Sequence, residues 1–140
     1  MEVHYAFITE PTALQIEGVL ALYRMQGWWG PTGERDPEVA DAMIRGSHCF
    51  VVAEAQGRII GMGRAISDGV SDAYIQDVAV DPAFRGKGVG IRIVTDLVHR
   101  LRHDGIGWIG LGAEAGTHDF YRRAGFIEFP GCSVMLKKSP

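Results

Sequence analysis

The sequence predicts a mixed α/β fold built around one sheet, and three observations carry that reading. Residues 74–80, Tyr-Ile-Gln-Asp-Val-Ala-Val, are rich in β-branched and aromatic types and run into turn chemistry at Asp81-Pro82, so they read as a strand. From Ile91 onward the apolar residues fall at Val94, Leu97, Val98 and Leu101, the i, i+3, i+4, i+7 spacing of a helix with one buried face. Upstream, His48 to Ala55 and Arg58 to Ser67 are two strand-like runs joined by Gln56-Gly57, which predicts a hairpin.

In chain order, Val3 to Thr9 alternates loosely and stops before Pro11, giving a first strand. A helix follows from about Thr12, with Leu14, Val19, Leu22 and Met25 expected on its buried side. Gly27-Trp28-Trp29-Gly30-Pro31-Thr32-Gly33 ends it in a loop. Asp36-Pro37 opens a second helix that runs to about Gly46, with Pro at the first helical position and Glu38 in the first turn. After the hairpin, Ser67 to Asp72 is a turn into the strand at Tyr74. His103-Asp104-Gly105 ends the long helix, and Trp108 to Leu111 is a short strand. Thr117 to Ala124 is a short helix stopped by Gly125. Phe126 to Phe129 and Ser133 to Lys137 are expected to form a last antiparallel pair across Pro130-Gly131. The predicted order is β-α-α-β-β-β-α-β-α-β-β, in one domain spanning residues 1–140.

Composition narrows the function classes. With 140 residues, 46% of them hydrophobic, the chain can bury a core of its own. A net charge of −3 suggests no general attraction to nucleic acid or membrane. No apolar run approaches the ~18 residues of a membrane span and no signal peptide is visible, so a cytoplasmic protein is expected. Cys49 and Cys132 are too few for a disulfide framework and sit in no metal-ligand spacing; both read as buried thiols. The five histidines lack ligand spacing too, and no metal is expected.

The most informative stretch lies between the strand and the long helix, Arg85-Gly86-Lys87-Gly88-Val89-Gly90. Glycines there let the backbone turn sharply and present N–H groups to a ligand. A helix N-terminus adds unpaired donors and roughly half a positive charge, which suits an anion such as a pyrophosphate. The alternative is a glycine-rich turn before an ordinary packed helix. A P-loop requires a hydroxyl after its lysine, whereas Lys87 is followed by Gly88. The dinucleotide Gly-x-Gly-x-x-Gly register fails by one residue.

What remains, Arg85-x-x-Gly88-x-Gly90, resembles the acyl-CoA signature of the GCN5-related N-acetyltransferase (GNAT) superfamily. Phe120-Tyr121-Arg122-Arg123-Ala124-Gly125-Phe126 resembles that family's closing Phe-Tyr-x-x-x-Gly-Phe segment. The motif-level likeness covers residues 74 to 129; the N-terminal half matches in length and element order. The resemblance implies a GNAT-like fold and an acetyl-CoA-dependent N-acetyltransferase acting on a primary amine of a small molecule or peptide. It implies that amides from Gly86, Lys87, Gly88, Val89, Gly90 and Ile91 hold the CoA pyrophosphate, with Arg85 and Lys87 adding charge. It also implies that the edge at Val78, Ala79 and Val80 pairs with pantetheine, and that the Val78 N–H serves the reacting carbonyl oxygen. Tyr121 stands at the family's general-acid position; its structural alternative is a buried phenol bonded to backbone.

Many relatives carry a Glu as base where this chain has Gln76. Gln cannot take a proton, so Gln76 could act only through a relayed water. Asp77 follows it, pointing to the opposite face in a regular strand unless a bulge re-aims it. The structural alternative for Asp77 is a pairing within the sheet or with a helix. Glu114 and His118 are further candidates for the base. The resemblance places the loop of Trp28 and Trp29 at the acceptor wall, with Tyr23 beside it; covering the core edge is the alternative. Glu34, Asp36, Asp68 and Asp72 are candidate attractors of a cationic acceptor. A non-catalytic acyl-CoA-binding module is the competing function. Relatives are often dimers, so a homodimer is one expected assembly.

Overall fold

The computed structural model describes residues 1–29 and 37–138. Its elements are β1 (His4–Phe7), α1 (Ala13–Met25), α2 (Pro37–Gly46), β2 (Cys49–Ala55), β3 (Arg58–Ser67), β4 (Asp72–Val80), α3 (Val89–His103), β5 (Trp108–Gly110) and α4 (His118–Arg123), with a 3-10 turn at Pro82–Phe84. The strands form one sheet in the order β1-β2-β3-β4-β5. Pairing is antiparallel up to β4, and β5 then joins β4 in parallel. Thr12 starts α1 through a capping box, its hydroxyl accepting from the Gln15 amide while Gln15 returns a bond to the Thr12 amide.

Each face of the sheet has its own core. On one side α3 lays Val89, Ile93, Leu97 and Leu101 over Val51, Ala53, Ala65, Ala73 and Ile75. On the other, α1 and α2 bring Val19, Leu22, Tyr23 and Ile44 onto Phe50, Val52, Met62 and Ala79. The close seat of α3 needs Gly61 and Gly63. A Cβ on either would lie within 2.8 Å of Ile93 side-chain atoms, nearer than packed carbons approach.

The predicted boundaries hold within a residue or two for most elements, and the differences have physical reasons. Leu14 and Met25 are 79% and 48% exposed; α1 turns Leu20 and Tyr23 inward beside Val19 and Leu22 instead. Cys49 is buried, and burial pushes its thiol up to about 11. Cys132, expected inside, is exposed. The last antiparallel pair does not form: residues 126–138 contain no strand, although the turn between its halves does close, Cys132 N–H donating to Phe129 O at 3.2 Å. Residues 127–138 are exposed throughout, packed on nothing, and two strands alone are marginal in water.

The end of α3 is tied to the start of β2. His48 Nε2 lies 2.8 Å from Asp104 Oδ2, and Arg100 Nε donates to the same oxygen at 3.3 Å. The His48 hydrogen bond, followed by the Arg100 charge, holds the Asp104 carboxyl below its ordinary range. Its stabilising contribution is therefore full above the unfolded value of about 4 and disappears as pH falls through the lower folded value. Thermal unfolding followed from pH 7 down to pH 2 should show Asp104→Asn losing less stability in the acid limb than the parent. Identical acid limbs would remove this carboxylate from the account.

Candidate active site

The cationic glycine loop leads directly into α3. Gly86 and Gly88 have φ of +76° and +81°, the left-handed region that side chains resist, and Gly88 is the N-cap of α3 with no side-chain cap. The first amide of this region that bonds back to the chain is Arg92 N–H, to Gly88 O at 3.1 Å. Among the described residues, no amide from Gly86 to Ile91 donates to a protein group. The loop thus presents a set of unpaired donors at the positive end of a 15-residue helix.

Beside the loop lies an unpaired strand edge. The parallel ladder with β5 ends at Tyr74↔Gly110, while β4 continues to Val80. Asp81 N–H donates to Ile60 O of β3, so by alternation Val78 and Val80 turn their N–H and C=O groups away from β3, into the opening. Arg85 Nε caps Val80 O at 3.2 Å across that opening, which ties the loop to the strand. α4 closes the third side. A Cβ on Gly90 would stand 3.0 Å from the Phe120 ring and 3.5 Å from Val80 Cγ2, so α4, the start of α3 and the end of β4 converge on this glycine.

Tyr121 sits next to Phe120 on α4, half-buried, with the rings of Phe120 and Phe126 edge-on at 4.9 and 6.1 Å. Among the described residues its hydroxyl bonds to no protein group, unlike the backbone-bonded phenol considered above. Burial, then the Glu114 charge, raises its pKa above the ordinary value. Glu114 and His118 are themselves exposed.

The structure decides the direction of Asp77. The β3–β4 register shifts between Met62 and Arg64: Met62 pairs with Ala79 and Arg64 with Gln76, so Gly63 alone opposes Asp77 and Val78. This bulge places Asp77 at φ +57°, a region asparagine and aspartate tolerate best after glycine. Gln76 and Asp77 consequently emerge on the same face, that of α1, while Val78 packs toward α3. Asp77 Oδ2 accepts from Tyr23 Oη at 2.6 Å and from Arg64 Nε at 2.7 Å. Arg64 Nη1 donates to Ser47 Oγ at 3.4 Å, and that hydroxyl donates to Met43 O at 2.6 Å. Asp77 is therefore the structurally paired carboxylate, joining sheet to helix, and Gln76 next to it is exposed.

Tyr23 does not line an open wall, because it is only 2% exposed. It stands behind the two tryptophans: Trp29 stacks on its ring at 4.1 Å with planes 3° apart, and Trp28 meets it edge-on at 5.9 Å. Trp28 and Trp29 are half-buried. Glu34 and Asp36 fall outside the described residues. Asp68 is occupied by the turn before β4, accepting from the amides of Val70 and Ser71; Asp72 is exposed at the start of β4. Arg64 was missed from sequence, yet a lone cation within Gly61-Met62-Gly63-Arg64-Ala65 was the available signal, since a charge on a buried strand needs a partner. A hollow of about 300 Å3 lined by Phe7, Asp96, His99, Arg100 and His103 contains none of these groups.

Comparison with known proteins agrees with this geometry. Residues 17–126 match the model of the acetyltransferase (GNAT) family. The chain is 44% identical over 87 residues to histone acetyltransferase TAP1 of Glycine max, covering 62% of this chain and 37% of that one. It is 42% identical over 77 residues to the chloroplastic GCN5-related N-acetyltransferase 2 of Arabidopsis thaliana, covering 55% and 30%. The matches thus span about a third of these relatives' own lengths. A GNAT family acetyltransferase of Streptococcus pneumoniae superposes with a TM-score of 0.78 at 22% identity, covering 99% of this chain and 98% of that one, a likeness of fold. A glycine loop with free amides at a helix start, a strand edge opened beside it and a family match over both lead to one conclusion: the chain belongs to the acetyltransferase (GNAT) family.

Proposed function

We propose that this protein transfers an acetyl group from acetyl-CoA to a primary amine by direct attack on the thioester. The observation that carries the reading is the run of unpaired amides from Gly86 to Ile91 adjoining the unpaired edge of β4. These donors suit a diphosphate, with Lys87 and Arg85 adding charge, and the Val78 N–H and C=O and the Val80 N–H, the Val80 C=O being held by Arg85, suit the amides of a pantetheine arm, as a peptide suits a sheet edge. Acetyl-CoA supplies the activated acetyl carbonyl. The Val78 N–H faces the opening and is the donor for that carbonyl's oxygen.

Two proton movements complete the chemistry. An amine with a pKa of about 10.4 costs roughly 4–5 kcal/mol to deprotonate at pH 7. With Asp77 held by two donors, Gln76 serves by orienting a water that carries this proton away. The phenol of Tyr121 gives its proton to the departing thiolate. Gln76 also favours a second reading, a non-catalytic acyl-CoA-binding module, since the chain has no free carboxylate at that position.

The deciding experiment sets a thermal shift with acetyl-CoA beside thiol release across a panel of primary amines. Stabilisation with turnover supports the enzyme; stabilisation without turnover on any amine supports the module. Gly88→Ala, which forces a side chain into a left-handed conformation costing about 1–3 kcal/mol and crowds the cradle, should weaken acetyl-CoA binding at least tenfold. Unchanged affinity in this variant would displace the loop from the reading.

A further inference from the structure

Among the described residues, the face of the sheet that carries Gln76 is covered by α1 and α2 over β1 to β3, and this cover runs out beside β4. Beyond it, Ile66, Tyr74 and Trp108 are 41%, 47% and 42% exposed. They form a row. Ile66 pairs with Tyr74 across β3–β4, and Tyr74 pairs with Gly110 across β4–β5. The Trp108 ring covers Gly110, where a Cβ would stand 2.7 Å from ring carbons, and meets Tyr74 edge-on at 5.3 Å and 61°. Three strands thus contribute to one apolar shelf, and the missing side chain at residue 110 lets the indole fold over onto it. Single exposed apolar residues are ordinary, whereas a contiguous aromatic shelf is not.

We propose that this shelf is the acceptor subsite, and that the amine it takes is carried on a flat aromatic body by a short alkyl arm. The inference rests on the acetyl-transfer reading above and names its substrate class. Tyr74 and Gln76 lie on the same face of β4, about 7 Å apart along the strand at ~3.4 Å per residue. Val78, whose N–H faces the reacting carbonyl, is two residues further on. A ring resting against Tyr74 and Trp108 therefore directs its arm along β4 toward Gln76. The edge-to-face pair offers the geometry in which a third ring packs favourably, and the electron-rich faces also attract the amine's cationic form. A second protein is a poor fit for the shelf. Three side chains at under half exposure offer about 300 Å2, against the ~800 Å2 per partner of a stable interface.

The test compares 2-phenylethylamine with n-hexylamine, both primary amines on apolar bodies. The chain has three tryptophans, so 1H–15N spectra contain three indole signals, and Trp108→Phe identifies the one from Trp108. In the presence of CoA, 2-phenylethylamine should shift that signal saturably and n-hexylamine should not. Tyr74→Ala and Trp108→Ala change exposed side chains, and stabilisation by acetyl-CoA should persist in both. Each should lower kcat/KM for 2-phenylethylamine at least tenfold and for n-hexylamine less than threefold. Equal losses on the two amines, or a Trp108 signal that ignores 2-phenylethylamine, overturn the proposal. So does a concentration-dependent dimer that Trp108→Ala abolishes, since a second copy would then cover the shelf. Absence of turnover on any amine overturns acetyl transfer instead, and the Trp108 shift still decides whether an aromatic amine binds here.

Discussion

Replacing Tyr121 with phenylalanine should lower kcat by about 100- to 1000-fold, the lower part of the roughly 10²–10⁴ range that general acid catalysis contributes, while acetyl-CoA affinity stays within about twofold. The substitution removes one oxygen and leaves the ring between Phe120 and Phe126, so the packing of α4 on the start of α3 is preserved. Because the Tyr121 hydroxyl bonds to no protein group among the described residues, its loss strands no internal partner. A free thiol with a pKa of about 8.5 is a moderate leaving group, so the acid accelerates departure without being indispensable. Burial and Glu114 raise the Tyr121 pKa, which keeps the phenol protonated through the neutral range and beyond its ordinary value near 10. An alkaline activity limb due to this group therefore lies above pH ~10. Steady-state kinetics beside a CoA titration checks the claim; equal turnover of variant and parent would remove Tyr121 from the chemistry.

Asp77→Ala should destabilise the fold by about 3 kcal/mol, because it leaves the Arg64 guanidinium partly buried without its carboxylate. The side chains are 14% and 23% exposed, so water recovers only part of that loss. At this chain length the melting temperature should fall by about 10 °C. Tyr23→Phe should cost about 1.5–3 kcal/mol, the worth of a hydrogen bond to a charged group, and retain its stack on Trp29. Because the two residues share one oxygen, the double variant should lose less than the sum of the singles. Tyr23 also gives an alkaline signature. Burial first, then the Asp77 hydrogen bond, raises its pKa. The folded phenol resists ionisation that the unfolded chain undergoes near pH ~10, so stability falls as pH rises from there, and Tyr23→Phe should lessen that fall. A loss under about 1 kcal/mol in Asp77→Ala would mean that the pair is solvated and joins nothing.

Much of the site was legible because its signals are local. The glycines of Arg85 to Gly90 announce left-handed backbone and open amides whatever packs around them, and Gly86 and Gly88 adopt that conformation. The spacing of Val94, Leu97 and Leu101 determines which side of α3 is buried, since helix periodicity is set within a few residues. Leu14 and Met25 show the limit of the same rule. Both are apolar, yet at 100° per residue they stand about 180° and 200° around α1 from buried Tyr23, so they belong to its outer face, and only the packed sheet shows which face is the inner one.

By itself, then, the sequence determined the element order through β5 and α4, the left-handed glycine loop and the family it points to, because turn chemistry and periodicity act over a few residues. Only the tertiary structure decided three other matters. The β3 register aimed Asp77 at Tyr23 and Arg64; among the described residues, the end of the helical cover left Tyr74 and Trp108 open; and residues 127–138, exposed throughout, formed no last strand pair. Each depends on which distant segment lies alongside, and a side chain's direction past a bulge is set by the partner strand, not by its own neighbours.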